Sequence, residues 1–196
     1  GKTVLMLHMA YKKVIEEGSR CLFLTYNRAL IADLKRLKEI LSISSGDSGI
    51  AIDSLERFMM SILSHHTDTP INRLFFKYSK GLSSLQEDMK ENEGMGKKIL
   101  KELCRLESNQ YDFDYIFVDE GQDWIDQEMF VLRSMYDTKN IIVSHGVGQS
   151  IRDRLEDKRE EADWKKNLSK EQSIQRSLKR ALRMKENIAK TIIDFN

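Results

Sequence analysis

The segment Tyr115-Ile116-Phe117-Val118-Asp119-Glu120-Gly121-Gln122-Asp123 restricts the fold of this chain more than any other. An apolar run of this length, bounded by charge, reads as a strand buried on both faces, which is the environment of an interior strand in a parallel sheet. Such a sheet needs helices above and below it, and its ligands gather just beyond the carboxyl ends of the strands. Asp119 and Glu120 fall at that edge. A hard cation such as Mg²⁺ takes oxygen ligands and keeps several waters, so Asp119 suits a metal ligand and Glu120 a group that polarises water. The same residues also suit a strand that ends in a solvated acidic turn, and the rest of the chain has to separate the two.

Hydrophobic periodicity elsewhere alternates between the two regular structures. It predicts a helix from Thr3 to Glu17, a strand from Cys21 to Tyr26, a helix from Arg28 to Leu41 and a strand from Gly49 to Ile52. Alternation of this kind specifies an α/β fold with a parallel sheet. From residue 54 to residue 111 the pattern turns helical, with blocks at Leu55 to Ser64, Ile71 to Lys80 and Leu85 to Leu106, punctuated by Thr67-Asp68-Thr69-Pro70 and by Gly81. The strand at Tyr115, a helix near Gln127 to Tyr136 and a strand from Asn140 to Val143 then resume the first pattern. Three parts follow: 1–53 opens an α/β domain, 54–111 is a helical insertion, and 112–196 completes the domain. With 196 residues, 40% hydrophobic and a single proline, the chain has enough apolar material for one core.

The chain begins Gly1-Lys2-Thr3 and runs into an apolar-rich helix. This resembles the tail of a Walker A phosphate loop, in which backbone N–H groups at a helix start bind phosphate, the lysine reaches the β/γ oxygens and the hydroxyl ligates Mg²⁺. Together with Asp119-Glu120-Gly121-Gln122-Asp123, it makes the chain similar to the superfamily 1 helicases of the UvrD/Rep-like kind, whose second motif reads Asp-Glu-x-Gln-Asp. Further segments match in the family's order. Cys21 to Leu30 resembles the strand and turn that touch single-stranded DNA, with Thr25, Asn27 and Arg28 as the implied contacts. Ile50 to Phe58 resembles the next strand-to-helix segment, where Ser54 matches a Thr or Ser of the family. Asn140 to Ile151 resembles the segment ending Gly-Asp-x-x-Gln-Ser-Ile, with Gln149 as γ-phosphate sensor, although His145 and Gly146 stand where the family has Gly and Asp. Leu178 to Ile188 resembles Leu-x-x-Asn-x-Arg-Ser, with Arg183 at the γ-phosphate arginine and Ala181 in place of Asn.

The resemblance implies a P-loop NTPase of RecA-like fold whose first strand and phosphate-loop start precede Gly1. It implies ATP and Mg²⁺ as cofactors, held by Gly1, Lys2, Thr3, Asp119 and Gln122, with Thr3 and Asp119 on the metal. Glu120, Gln149 and Arg183 are the implied catalytic residues. The implied activity is that of an ATP-dependent DNA helicase or translocase acting on single-stranded DNA. As the expected first RecA-like half of such an enzyme, the chain should turn over ATP poorly alone. A P-loop switch that binds nucleotide or nucleic acid without unwinding is the alternative, which the missing Asp at position 146 would permit.

Composition narrows the remaining classes. A net charge of +1 does not announce a nucleic-acid partner, so any affinity rests on local cations such as Arg28, Lys35, Arg36 and Lys38, which equally suit a solvated helix face. Cys21 and Cys104 lack the spacing of a zinc site or disulfide framework, which fits a reducing, cytoplasmic setting. No run approaches the ~18 apolar residues of a membrane span, and no signal-like segment precedes the first motif. His65-His66 reads as a helix-end pair, the mixed-sign stretch Arg152 to Gln172 as a solvated helix or loop, and Trp124 and Trp164 as packing residues, Trp164 being also able to stack on a base. The insertion suits either a DNA-contacting subdomain or a cap over the sheet.

Overall fold

Every strand of the sheet runs parallel to its neighbours, in the spatial order Gly49–Ser54, Arg20–Thr25, Tyr115–Val118, Ile141–Val143. The computed structural model describes residues 2–40, 49–74, 77–107, 110–146 and 162–165. Gly1, Gln149 and Arg183 lie outside the described residues, as does all of the stretch from Arg152 to Gln172 except 162–165. The chain opens with α1 (Lys2–Glu17), β1 (Arg20–Thr25), α2 (Arg28–Ile40) and β2 (Gly49–Ser54). Helices α3 (Leu55–Thr67), α4 (Ile71–Leu74), α5 (Tyr78–Glu91) and α6 (Met95–Leu106) follow, then β3 (Tyr115–Val118), α7 (Asp126–Met135) and β4 (Ile141–Val143).

Strand periodicity builds the layers. Along β1, Cys21 and Phe23 point to one face and Leu22 and Leu24 to the other; along β3, Phe117 opposes Ile116 and Val118. The first face is covered by Met6, Leu7 and Ala10 of α1 and Leu34 of α2, and there Phe23 stacks on its register partner Phe117 with ring centroids 6.4 Å apart. The second face is covered by α3, α5, α6 and α7, which share one hydrophobic cluster with Leu22, Leu24, Ile116 and Val118. The helical stretch 54–111 interrupts the β-α alternation in sequence, but in space it forms a layer of the common core.

Two details of that layer depart from the periodicity. The predicted block Leu85 to Leu106 is two helices, broken at Asn92-Glu93-Gly94, where Gly94 takes φ +78°. Gly81, predicted as a break, lies inside α5. Only a glycine fits at position 96, because a Cβ there would overlap the Ser134 carbonyl of α7. Helices α6 and α7 thus approach backbone to backbone, which brings the insertion against the element that follows the acidic turn.

Candidate functional site

The strand register aligns one polar rim along the carboxyl edge of the sheet. Thr25 pairs with Ser54, Leu24 with Val118, and Val118 with Val143, so Ser54, Thr25, Asp119 and Ser144 stand level across the four strands. The ladder continues into the rim, since Asp119 N–H donates to the Leu24 carbonyl at 2.9 Å and Ser144 N–H to the Val118 carbonyl at 2.8 Å. In open α/β sheets this edge is where ligands bind.

One end of the rim meets the start of α1. Thr3 Oγ1 donates to Asp119 Oδ2 at 3.1 Å across 116 residues of chain, and Lys2 Nζ donates to Glu120 Oε2 at 3.0 Å. Asp119 is fully buried, and Ser144 Oγ donates to its other oxygen at 2.7 Å. The Ser144 hydroxyl also accepts the Glu120 N–H at 3.1 Å. Gln122 Nε2 donates to Glu120 Oε2 at 2.8 Å, while its carbonyl oxygen accepts the Gly146 N–H at 2.7 Å. Lys2, Thr3, Asp119, Glu120 and Gln122, all drawn from the sequence as site residues, are therefore in one network.

The turn that carries them is strained and clamped. Glu120 is in the left-handed region, φ 48° and ψ 55°, an unfavourable place for a side chain with a Cβ. Gly121 N–H donates to the Ser144 carbonyl at 2.7 Å, and Asp123 N–H to the Glu120 carbonyl at 2.9 Å. From outside, Trp164 Nε1 donates to the Gly121 carbonyl at 2.9 Å and packs edge-on against Trp124, 5.2 Å between centroids. A Cβ at Gly121 would collide with Val143 and crowd the Trp164 indole, so the space of a side chain at 121 is taken by the tryptophan. Trp164 is thus a packing residue of this turn.

Chemically, the donor set is oxygen and hard. Thr3 Oγ1 and Asp119 Oδ2 lie together, and among the described residues no cluster of His, Cys, Asp and Glu forms an all-protein metal cage. One carboxylate and one hydroxyl fit a Mg²⁺ that keeps waters and shares phosphate oxygens with its substrate. Lys2 beside them is a point charge suited to a phosphate.

The other end of the rim holds the remaining predicted contacts. Thr25 is only 1% exposed and its hydroxyl accepts the Asn27 N–H at 3.2 Å, so it shapes the turn and does not reach outward. Asn27 is exposed and caps α2 by accepting the Leu30 N–H at 3.2 Å; Ser54 caps α3 by accepting the Arg57 N–H at 3.2 Å. A groove of about 360 Å³ opens here, lined by Arg28, Lys35, Ser54, Arg57 and Met60 together with Asp53 and Glu56. Its cations are partly matched: Arg28 pairs with Glu56 at 3.0 Å and Arg57 with Asp53 at 3.9 Å.

Comparison with protein-family models, with curated proteins and with solved structures finds no match. Sequence reasoning gave no role to Ser144, the hydroxyl that ties Asp119 to Glu120. A signal for it exists, because Ser144 follows β4 as Asp119 follows β3, but it becomes visible only once the two strands are known to pair in that register. Glu128, Tyr26 and Tyr78, which meet behind the rim, were likewise missed. Among the described residues no helix is long and apolar enough to cross a membrane.

Proposed function

We propose that this chain carries the nucleotide site of an ATP-driven motor on single-stranded DNA, of the superfamily 1 helicase kind, built on a RecA-like P-loop fold. The observation that supports the proposal is the direct bonding of Lys2 and Thr3 to Glu120 and Asp119, which brings together residues 116 and 118 positions apart that would form the proposed phosphate and metal site. Thr3 and Asp119 would hold Mg²⁺, which when bound neutralises charge on the phosphate oxygens. Lys2 pairs with Glu120 at 3.0 Å. An arriving phosphate competes for Lys2, and the released Glu120 carboxylate becomes free to orient and deprotonate an attacking water. Gln122 bonds the same Glu120 oxygen and holds that carboxylate in register as Lys2 leaves. Gly1, Gln149 and Arg183 complete the proposed phosphate contacts, and Asn27, Arg28 and Ser54 the proposed strand contacts, with Thr25 setting the turn. The helical layer 54–111 would lie beside the bound strand.

The test is ATP turnover with Mg²⁺, with and without a deoxythymidine oligonucleotide, in the longest natural chain containing this sequence. Turnover stimulated by the oligonucleotide and abolished in Lys2→Ala is the expected result; wild-type protein that neither binds nor hydrolyses ATP would refute the proposal.

A second reading draws on Gly146. Its position next to Lys2 and Gln122 holds no carboxylate, and a Cβ there would sit 2.8 Å from Lys2 Nζ. A site lacking that acid suits a switch that binds nucleotide without unwinding; nucleotide binding without strand separation in the same protein would favour it.

A further inference from the structure

We infer that Tyr26 and Tyr78 form with the buried Glu128 carboxylate a junction that couples the strand-contacting turn to the acidic turn, so that they act as positioning residues for nucleic-acid stimulation of ATP turnover. The inference rests on the motor reading and names a regulatory element of that same edge. Glu128 is completely buried in the first turn of α7. The Tyr26 hydroxyl lies within hydrogen-bond distance of both its oxygens, 2.7 Å from Oε1 and 2.8 Å from Oε2. Tyr78, the first residue of α5, donates to Oε1 at 2.8 Å, and the Ile125 N–H donates to Oε2 at 3.0 Å.

Three elements with different tasks therefore converge on one carboxylate. Tyr26 stands between Thr25 and Asn27 in the turn proposed to grip the strand. Ile125 and Glu128 continue the chain directly from the turn of Asp119 to Asp123, whose Gly121 carbonyl accepts the Trp124 N–H. Tyr78 brings in the helical layer. Burying a carboxylate carries a large desolvation cost, and apolar side chains would fill the same space without it. What the carboxylate adds is direction: its oxygens admit donors only along narrow angles, so a shift of the Tyr26 turn must either drag α7 with it or leave a buried oxygen short of a partner. A strand that displaces Asn27 or Arg28 would in this way move the segment that positions Glu120.

Tyr26→Phe and Tyr78→Phe each delete one hydroxyl and keep the ring, and Glu128→Gln keeps the shape while removing the charge. In the longest natural chain containing this sequence, Tyr26→Phe should keep basal ATP turnover within about twofold and lower the stimulation by a deoxythymidine oligonucleotide about fivefold or more. The melting temperature should fall by a few degrees, because the buried Glu128 carboxylate loses one donor, while oligonucleotide affinity stays near wild type. Tyr26→Phe combined with Glu128→Gln should be no worse than the more damaged single variant, since both cut one link. Tyr26→Phe and Tyr78→Phe proteins stimulated like wild type would overturn the junction and leave the motor reading standing. Variants that lose basal and stimulated turnover in equal proportion would also overturn it by showing a role in folding alone. Wild-type protein whose ATP turnover ignores the oligonucleotide would overturn both readings, and that outcome is visible before any variant is made.

Discussion

Glu120 combines a strained backbone with a side chain held by a lysine and a glutamine. Strain of this kind costs on the order of 1–3 kcal/mol and persists where the surroundings over-determine it, here through Ser144 and the Gly121 and Asp123 N–H groups. Glu120→Gln preserves the shape and the αL backbone but cannot accept a proton. It should lower ATP turnover by about 10²- to 10⁴-fold while nucleotide affinity, followed with a fluorescent analogue, is retained. Ser144→Ala removes the hydroxyl shared by Asp119 and the Glu120 N–H, leaving a buried carboxylate oxygen short of a donor, and should destabilise the fold by about 1–3 kcal/mol in a denaturant titration. The cysteines differ in the same physical terms. Cys21 is buried and its thiol is pushed up to about 12 by desolvation, whereas Cys104 is partly exposed and its thiol is raised less. A thiol reagent at neutral pH should label Cys104 first and reach Cys21 only on unfolding; equal labelling of both in the folded protein would contradict the burial.

At the scale of elements, the contact between α6 and α7 rests on one missing methyl group. Replacing a helical glycine by alanine normally stabilises by roughly 0.5–1 kcal/mol, so Gly96→Ala would help if α6 were exposed on that side. Because the added Cβ would overlap the Ser134 carbonyl, the sign reverses, and a loss of about 1–3 kcal/mol is expected in a denaturant melt. The elements themselves were largely legible. Apolar residues at helical spacing placed α1, α2 and α7 to within a residue or so, and the strand at Tyr115 was evident from its uninterrupted run. The break within Leu85 to Leu106 was not, since a glycine inside an amphipathic pattern is equally compatible with a cap and with close packing. Gly94 is the cap and Gly81 and Gly96 are within helices, a distinction made by backbone conformation and neighbours.

For the whole molecule, charge linkage sets the pH range of stability. Hydrogen bonds from Lys13 and Tyr115 hold the Glu17 carboxyl below its ordinary value of 4.5, and Lys97 does the same for Asp137, whose ordinary value is 3.8. Groups depressed on folding contribute stability above their unfolded pKa and lose it as pH falls through the folded one. Cys21 and Tyr136 are raised by burial from ordinary values of 9.0 and 10.0, so their contribution is complete below those values and is lost as pH rises beyond them. Thermal melts should accordingly show a plateau across neutral pH, a small fall in acid from exposed pairs and a steeper one in alkali; a melting temperature that climbs above pH 10 would contradict it. The sequence alone determined the α/β class, the helical interruption and the residue types of the site, because periodicity and local chemistry are written in neighbouring residues. Only the tertiary structure decided that Lys2 and Thr3 meet Glu120 and Asp119, that Thr25 faces inward, that Ser144 joins Asp119 to the Glu120 N–H, and that Glu128 meets Tyr26 and Tyr78, because strand order and register bring together residues that no local pattern connects.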